Sequence, residues 1–204
     1  MNRLALFDFD GTITTQDSLK KFLLYYHSLP KVIIGLIILS PALISYLLKI
    51  ISNNTAKQIL LQWFFKSESL HTFNTKCNQF AQNEIPKILR KEAIDCINFH
   101  IANGDTVVVV TASPENWVAP WCDQLNISCI GTRLNVHNNS LTGKFEGENC
   151  YGPEKARRIK ALFNLKEFSE IIAYGDSRGD KEIFGLSTKH YYRYFPANET
   201  KVSQ

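Results

Sequence analysis

Asp8 and Asp10, two carboxylates one residue apart directly behind the apolar run Leu4-Ala5-Leu6-Phe7, carry the clearest chemistry in this chain. The run reads as a short buried strand. Residues i and i+2 of an extended segment point the same way, so the two acids converge on one small volume. Gly11 permits the sharp turn by which the chain leaves the strand end, and Thr12 follows. Acids held this close repel unless a cation or a shared proton sits between them. The pair suits a nucleophilic carboxylate beside a general acid/base, with a hard metal bridging the site.

Three further blocks place polar or charged residues at the end of a strand or the start of a helix. Val107-Val108-Val109-Val110 reads as a fully buried parallel strand ending at Thr111, followed by Ala112-Ser113-Pro114-Glu115. Ser113 is expected as a helix N-cap with Pro114 at the first helical position, and the free amides of that helix favour an anion such as phosphate. An amphipathic helix then opens at Gly152-Pro153-Glu154-Lys155. Lys155 is unusual there, because a cation is unfavourable at the positive end of a helix dipole. It fits if it reaches a phosphate and the paired aspartates. Arg157, Arg158 and Lys160 read as a solvated basic face. Last, Ile171-Ile172-Ala173-Tyr174 runs into the acidic loop Gly175-Asp176-Ser177-Arg178-Gly179-Asp180. Asp176 is expected to add an oxygen ligand for Mg2+, and Asp180 to orient a metal-bound water or hold Lys155.

In this order, the four blocks resemble the haloacid dehalogenase superfamily of phosphohydrolases: Asp8 with Asp10, Thr111, Lys155, and Asp176 with Asp180 match its four motifs one by one. The resemblance implies that Asp8 is the nucleophile that becomes an aspartyl-phosphate. Asp10 protonates the leaving oxygen and then activates water. Thr111 and Lys155 hold the phosphoryl oxygens, and Asp8, the Asp10 carbonyl and Asp176 bind Mg2+. Asp180, Gly11 and Ala112 support them. Phosphoryl transfer is mostly positioning and charge neutralisation, which these residue types supply.

More than ninety residues separate Thr12 from Val107, whereas Ala112 to Glu154 is short. A long insertion after the first motif is similar to the phosphoserine-phosphatase-like branch. The expected division is a catalytic core of residues 1–16 and 101–204 with a helical cap of residues 17–100. The insertion is helical in pattern, for example at Phe73, Cys77 and Phe80 and then at Ile85, Ile88 and Leu89. Phosphoserine itself fits poorly. Thr15-Gln16-Asp17 stands where that family has a glutamate for the substrate amine, and Ala112-Ser113-Pro114 stands where it has glycines.

The insertion holds a second feature, an uncharged run from Val32 to Leu48 bounded by Lys31 and Lys49. As one helix it would span about 26 Å against a hydrocarbon core of about 30 Å. Pro41 near its middle argues for a kink or two shorter helices. Three roles stay open: contact with membrane or lipid, buried cap core, or a protein–protein surface. The pattern is also loosely similar to the phosphatidylglycerophosphatase C family, which implies a lipid phosphomonoester whose acyl chains meet the cap.

A formal net charge of +4 over 204 residues suits anionic substrates or an anionic membrane surface and is too slight for nucleic acid. Trp117 and Trp121, four apart, read as core packing. The five cysteines show no metal-pair spacing and the five histidines form no metal pair. With no signal peptide read ahead of the Leu4 strand, a reducing cytoplasm is expected, with the chain peripheral on or anchored to the inner face of the membrane. The polar tail from Pro196 to Gln204 is expected to fray. Nothing in the sequence fixes an oligomeric state.

The expected fold is α/β, a doubly wound parallel sheet with the inserted helical cap. Its strands fall near residues 4–7, 107–110, 127–130, 171–173 and 190–194, and its helices near 114–124, 154–164 and 180–185. A β-hairpin is expected from Gly131 to Phe145 around Asn138-Asn139. The favoured function is a Mg2+-dependent phosphomonoester hydrolase, on a lipid phosphate such as phosphatidylglycerophosphate. The alternative is the same enzyme acting on a soluble metabolite. A non-catalytic membrane-associated binding protein is disfavoured because every expected acid is retained with Thr111 and Lys155.

Overall fold

The computed structural model describes residues 2–196, so the polar tail expected to fray lies outside the described residues from position 197 onward. The chain begins with β1 (Arg3–Phe7). Six helices follow: α1 (Ser18–Tyr26), α2 (Leu29–Ile38), α3 (Ser40–Leu47), α4 (Asn53–Phe65), α5 (Leu70–Asn83) and α6 (Lys91–Ala102). Next come β2 (Thr106–Pro114), α7 (Glu115–Gln124), β3 (Ser128–Thr132), β4 (Leu134–His137) and β5 (Ser140–Phe145). The chain continues with α8 (Pro153–Leu162), β6 (Glu170–Gly175), α9 (Lys181–Phe184) and β7 (Lys189–Tyr192).

The main sheet is parallel, in the order β3-β2-β1-β6-β7, with Leu4 of β1 aligned on Thr106 of β2 and on Ile171 of β6. The central stretches of β1, β2 and β6 (Leu4–Phe7, Val107–Val110 and Ile171–Tyr174) are apolar on both faces because both are covered. Ala5, Phe7, Val107 and Val109 join Trp117 and Val118 of α7 on one face. Leu4, Leu6, Val108 and Val110 join Ile159 of α8 and Ile183 of α9 on the other. Trp117 and Trp121 are both core residues. This is the doubly wound α/β sheet expected from the strand pattern.

The first of these cores runs on into the inserted helices. Phe22 of α1 stacks on Trp117 with ring centroids 4.5 Å apart, and meets Phe73 and Phe80 of α5 edge-on. Phe73, Cys77 and Phe80 of α5 are buried there with Ile85. The helix ends at Asn83, so Ile85 and Ile88 belong to a separate short 3-10 turn, both buried, and Leu89 is partly buried.

The uncharged segment forms two short helices, α2 and α3, bent by 60° at Leu39. Pro41 sits in the first turn of α3, where its missing N–H costs nothing. No single helix among the described residues is long and apolar enough to cross a membrane. Gly35 lets α2 lie close to α4, since a Cβ there would come within 2.5 Å of the Phe64 ring. Val32 and Leu39 turn inward, but Ile33, Ile34, Ile37, Ile38, Leu47 and Leu48 stand open, Ile37 at 66% and Leu47 at 75% exposure.

Two expectations need correction. β2 does not stop at Thr111 but continues to Pro114, so Ser113 is a strand residue and not the N-cap of α7. Its hydroxyl is drawn to Asp10 instead. Arg158 is not solvated: its guanidinium turns inward to the Gly131 and Glu148 carbonyls and to Glu154, tying α8 to β3. Arg157 and Lys160 are exposed as expected. The hairpin forms as β4–β5, with Asn138 and Asn139 both at positive φ (49° and 57°), the geometry that two-residue hairpin turns require.

Candidate active site

The C-terminal parts of β1, β2 and β6 and the first turn of α8 meet at one edge of the sheet. β1 ends on Asp8, whose N–H donates to the Tyr174 carbonyl of β6 (2.9 Å). The chain then makes one wide turn over Phe9–Ile13, closed by the Thr14 N–H on the Phe9 carbonyl (3.0 Å). Gly11 carries φ +85° in this turn, and a Cβ on it would lie 2.5 Å from Asp176 Oδ2. The turn therefore demands glycine twice, for its backbone and for room beside Asp176. Arg90 braces it from α6's N-terminus by donating to the carbonyls of Gly11 and Thr12 (3.3 and 3.2 Å).

Lys155, 2% exposed, reaches from α8 into the acids and bonds Asp8 Oδ1 at 2.5 Å and Asp180 Oδ1 at 2.7 Å. Its displaced position in the first helical turn is explained by these two carboxylates. Asp8 Oδ2 accepts from the Thr12 hydroxyl (3.2 Å). Burial pushes the Asp8 carboxyl up, to about 7, against the pull of Lys155. The Lys155 ammonium, which burial alone would destabilise, is held well above the usual lysine range by Asp8 and Asp180.

Asp10 turns its carboxylate elsewhere. Oδ1 accepts from the Ser18 N–H (2.6 Å) and Oδ2 from the Ser113 hydroxyl (2.5 Å). Ser113 in turn meets the Ser18 hydroxyl at 3.1 Å, and the Trp117 indole N–H donates to Ser18 Oγ at 3.1 Å. Burial raises the Asp10 carboxyl above its ordinary range, and the Ser113 and Ser18 bonds oppose that rise. A carboxyl so held suits proton donation and return. Ser18 and Ser113 were not singled out as partners of Asp10 in the sequence, where their hydroxyls look like any helix cap.

Carboxylate oxygens of Asp8, Asp176 and Asp180 lie within 4.8 Å of one another. Both oxygens of Asp180 are engaged: Oδ1 by Lys155, Oδ2 by the N–H groups of Asp176 and Ser177 and by the Ser177 hydroxyl. It positions the loop and Lys155. Burial and the neighbouring Asp180 raise the Asp176 carboxyl above its ordinary range. The donor set is all oxygen, which suits a hard divalent ion such as Mg2+, and Asp10 would contribute through its carbonyl rather than its bonded carboxylate.

Thr111, 1% exposed, lies in the C-terminal part of β2, three residues before its end at Pro114, its Oγ1 accepting from the Ser113 N–H (3.0 Å). It lines a cavity of about 310 Å³ together with Asp8, Asp10, Ala112, Ser113 and Lys155. The opposite wall comes from the inserted helices: Leu43 and Tyr46 of α3, and Asn53, Ala56, Lys57 and Leu60 of α4. Lys57 was not anticipated, because a helix lysine carries no signal separating it from a surface one. Its ammonium donates to the Ala112 carbonyl (2.6 Å), and burial lowers it to about 8. A larger cavity, about 560 Å³, touches the Gly11–Thr12 turn and Asp176 but none of Asp8, Thr111 or Lys155, so the chemistry belongs to the smaller one.

Residues 5–184 match the family of haloacid dehalogenase-like hydrolases. Protein CicA of Caulobacter vibrioides is 33% identical over 194 residues, covering 94% of this chain and 86% of that protein. A probable phosphatase of Mycobacterium tuberculosis is 32% identical over 106 residues, half of this chain and 37% of that one. Among solved structures, a protein of unknown function from Bordetella pertussis Tohama I superposes with a TM-score of 0.81 at 23% identity, covering 93% of this chain and 89% of that one. A phosphoserine phosphatase solved as a phospho-aspartyl intermediate analogue superposes with a TM-score of 0.65 at 16% identity, covering 93% and 85%. At those identities the two structures speak for the fold alone. The match over residues 5–184 places this chain in the haloacid dehalogenase-like hydrolase family.

Proposed function

We propose that this hydrolase cleaves phosphomonoesters through an aspartyl-phosphate on Asp8, with the helical insertion of residues 17–100 acting as a cap over the site. The observation that carries the reading is the convergence of Asp8, Lys155, Asp180 and Asp176 at one sheet edge, with Thr111 and Asp10 lining the cavity that Asp8 and Lys155 also line. A carboxylate oxygen of Asp8 attacks phosphorus and the ester P–O bond breaks, its oxygen taking the proton from Asp10. Water then attacks the phosphorus of the acyl phosphate, Asp10 receives its proton, and Asp8 is released with inorganic phosphate. Thr111 and Lys155 hold the phosphoryl oxygens throughout. Asp8, Asp176 and the Asp10 carbonyl would hold Mg2+, which would supply positive charge to offset the phosphoryl oxygens.

Our preferred substrate is a lipid phosphomonoester. α3 supports this by having two sides: Leu43 and Tyr46 line the cavity above the acids, while Ile44 and Leu47 are open to solvent. An apolar surface continuous with the mouth of a phosphate site suits an ester whose alcohol part lies in a bilayer. Lys31 and Lys49 at either end of the segment suit anionic headgroups. A soluble metabolite is the second reading, favoured by the polar part of the wall, where Asp17, Asn53 and Ser177 also line the cavity.

The deciding assay is Mg2+-dependent phosphate release from phosphatidylglycerophosphate in detergent micelles, beside soluble phosphomonoesters. A clear preference for the lipid is the expected result. Turnover of soluble esters alone overturns the lipid assignment and leaves the phosphatase. In the same reading, Ile34→Glu with Ile37→Glu should abolish co-flotation with liposomes of anionic phospholipid. Both positions are more than half exposed, so the fold and Tm should hold. Undiminished flotation would place the lipid contact elsewhere.

A further inference from the structure

Lys57 is a cation without an assigned task. It rises from α4 into the cavity that holds Asp8, Asp10 and Thr111, and its one recorded bond is to the backbone carbonyl of Ala112. Among the described residues it forms no ion pair. Lys155, the other ammonium lining this cavity, is matched by two carboxylates. A partly buried ammonium with a single neutral acceptor is held at a cost in desolvation, and that cost is recovered when an anion arrives.

Its place within the cavity says which half of a substrate it meets. Ala112, which holds Lys57, lies between Thr111 and Ser113, and the Ser113 hydroxyl bonds the carboxylate of Asp10. In the proposed mechanism Asp10 gives its proton to the ester oxygen that leaves. Lys57 therefore stands on the leaving-group side, beyond the phosphoryl-binding residues. The acids that act on it at longer range are Asp10 and Asp17. Asp10 must hold a proton when the ester bond breaks, and the Asp17 carboxylate is tied to the first turn of α1, accepting from the Lys20 N–H (2.9 Å).

We propose that Lys57 is the specificity-determining residue of this site, binding a second anionic group carried by the alcohol half of the phosphomonoester. This rests on the phosphomonoesterase reading above and adds a requirement to it: the substrate bears two acidic functions, the ester phosphate and one more. A carboxylate on a soluble alcohol and a phosphodiester on a lipid headgroup share that chemistry. The class of reaction that supplies such a substrate is one that transfers phosphate to, or builds an ester on, an alcohol that is already acidic.

Binding tests the proposal without turnover. Asp8→Asn protein, with folding checked by circular dichroism, is titrated in Mg2+ with two matched pairs. The soluble pair is glycerol 3-phosphate and 3-phosphoglycerate; the micellar pair is phosphatidic acid and phosphatidylglycerophosphate. The ligand with the second anion should bind about tenfold tighter or more in at least one pair, the scale of a charge-assisted hydrogen bond. Adding Lys57→Met should erase that preference, and Lys57→Arg should keep part of it. A preference confined to the soluble pair assigns the anion to a carboxylate, and one confined to the micellar pair assigns it to a lipid phosphodiester; both support the proposal. Equal binding within both pairs overturns it. So does an equal loss of both members in Lys57→Met, which would make Lys57 a latch between α4 and β2. Wild-type turnover is assayed in parallel. Absence of hydrolysis with the binding pattern intact would refute the phosphatase reading and leave the anion subsite standing.

Discussion

Asp8→Asn should abolish phosphate release while leaving the protein folded. The carboxylate is the attacking atom, and no other group stands in its place: Asp10 is held by Ser18 and Ser113, and Asp180 is fully bonded in its own loop. A loss on the order of 10⁴-fold or more in kcat is the scale for removing a covalent nucleophile. The fold should survive because the amide is the same size and its oxygen still accepts from Lys155 or Thr12. Removing a charge that burial already opposes also offsets part of the weakened ion pair. Steady-state phosphate release, with circular dichroism on the same samples, checks both halves. Retained activity would remove Asp8 from the nucleophile's role and with it the proposed mechanism.

The parts of this molecule that were legible in the sequence are those in which one residue type has one physical use. Four-residue apolar runs buried on both faces leave little but a parallel strand, and Asn138-Asn139 leaves little but a hairpin turn at positive φ. Asp8, Lys155, Asp176 and Asp180 were legible because each follows a strand end or opens a helix where its charge is otherwise unexplained, and Thr111 because its hydroxyl closes the valine run of β2. Ser113 was misread because an N-cap and a strand residue bonded across the chain look alike in sequence; the choice is made by Asp10, 103 positions away. Arg158 was misread for a related reason, since its acceptors are backbone carbonyls that no pattern announces. The bend between α2 and α3 was legible from Pro41, but the outward turn of the isoleucines depends on how α2 seats on α4 at Gly35. Lys57 was invisible, because its meaning lies in the cavity and not in its neighbours.

Lys155→Met should damage both stability and catalysis, and the pH dependence should separate the causes. The methionine stem keeps the packing, so what is lost is the ammonium between Asp8 and Asp180. Removing one partner of a buried ion pair typically costs roughly 3–5 kcal/mol, because the remaining charge is left uncompensated. For Asp8 the sign is as follows. Its folded value, about 7, already lies above the unfolded 3.8, so the folded state holds the proton longer and stability falls as pH rises between the two. Above about 7, wild-type Asp8 is ionised in both states and that loss stops. Without Lys155 the carboxyl is pushed higher, so the variant goes on losing stability where the wild type does not. Urea unfolding of the metal-free proteins should therefore show a deficit that widens from pH 7 to pH 8.5, and saturating Mg2+ should narrow it by supplying another positive partner for Asp8. Activity in Mg2+ should stay roughly 10²–10³-fold down even where the fold is rescued, since a fixed donor to the phosphoryl oxygens is missing. A variant as stable as the wild type at pH 8.5 would mean that the Lys155 contacts contribute nothing net to the fold. Full activity would take the phosphoryl group out of Lys155's reach.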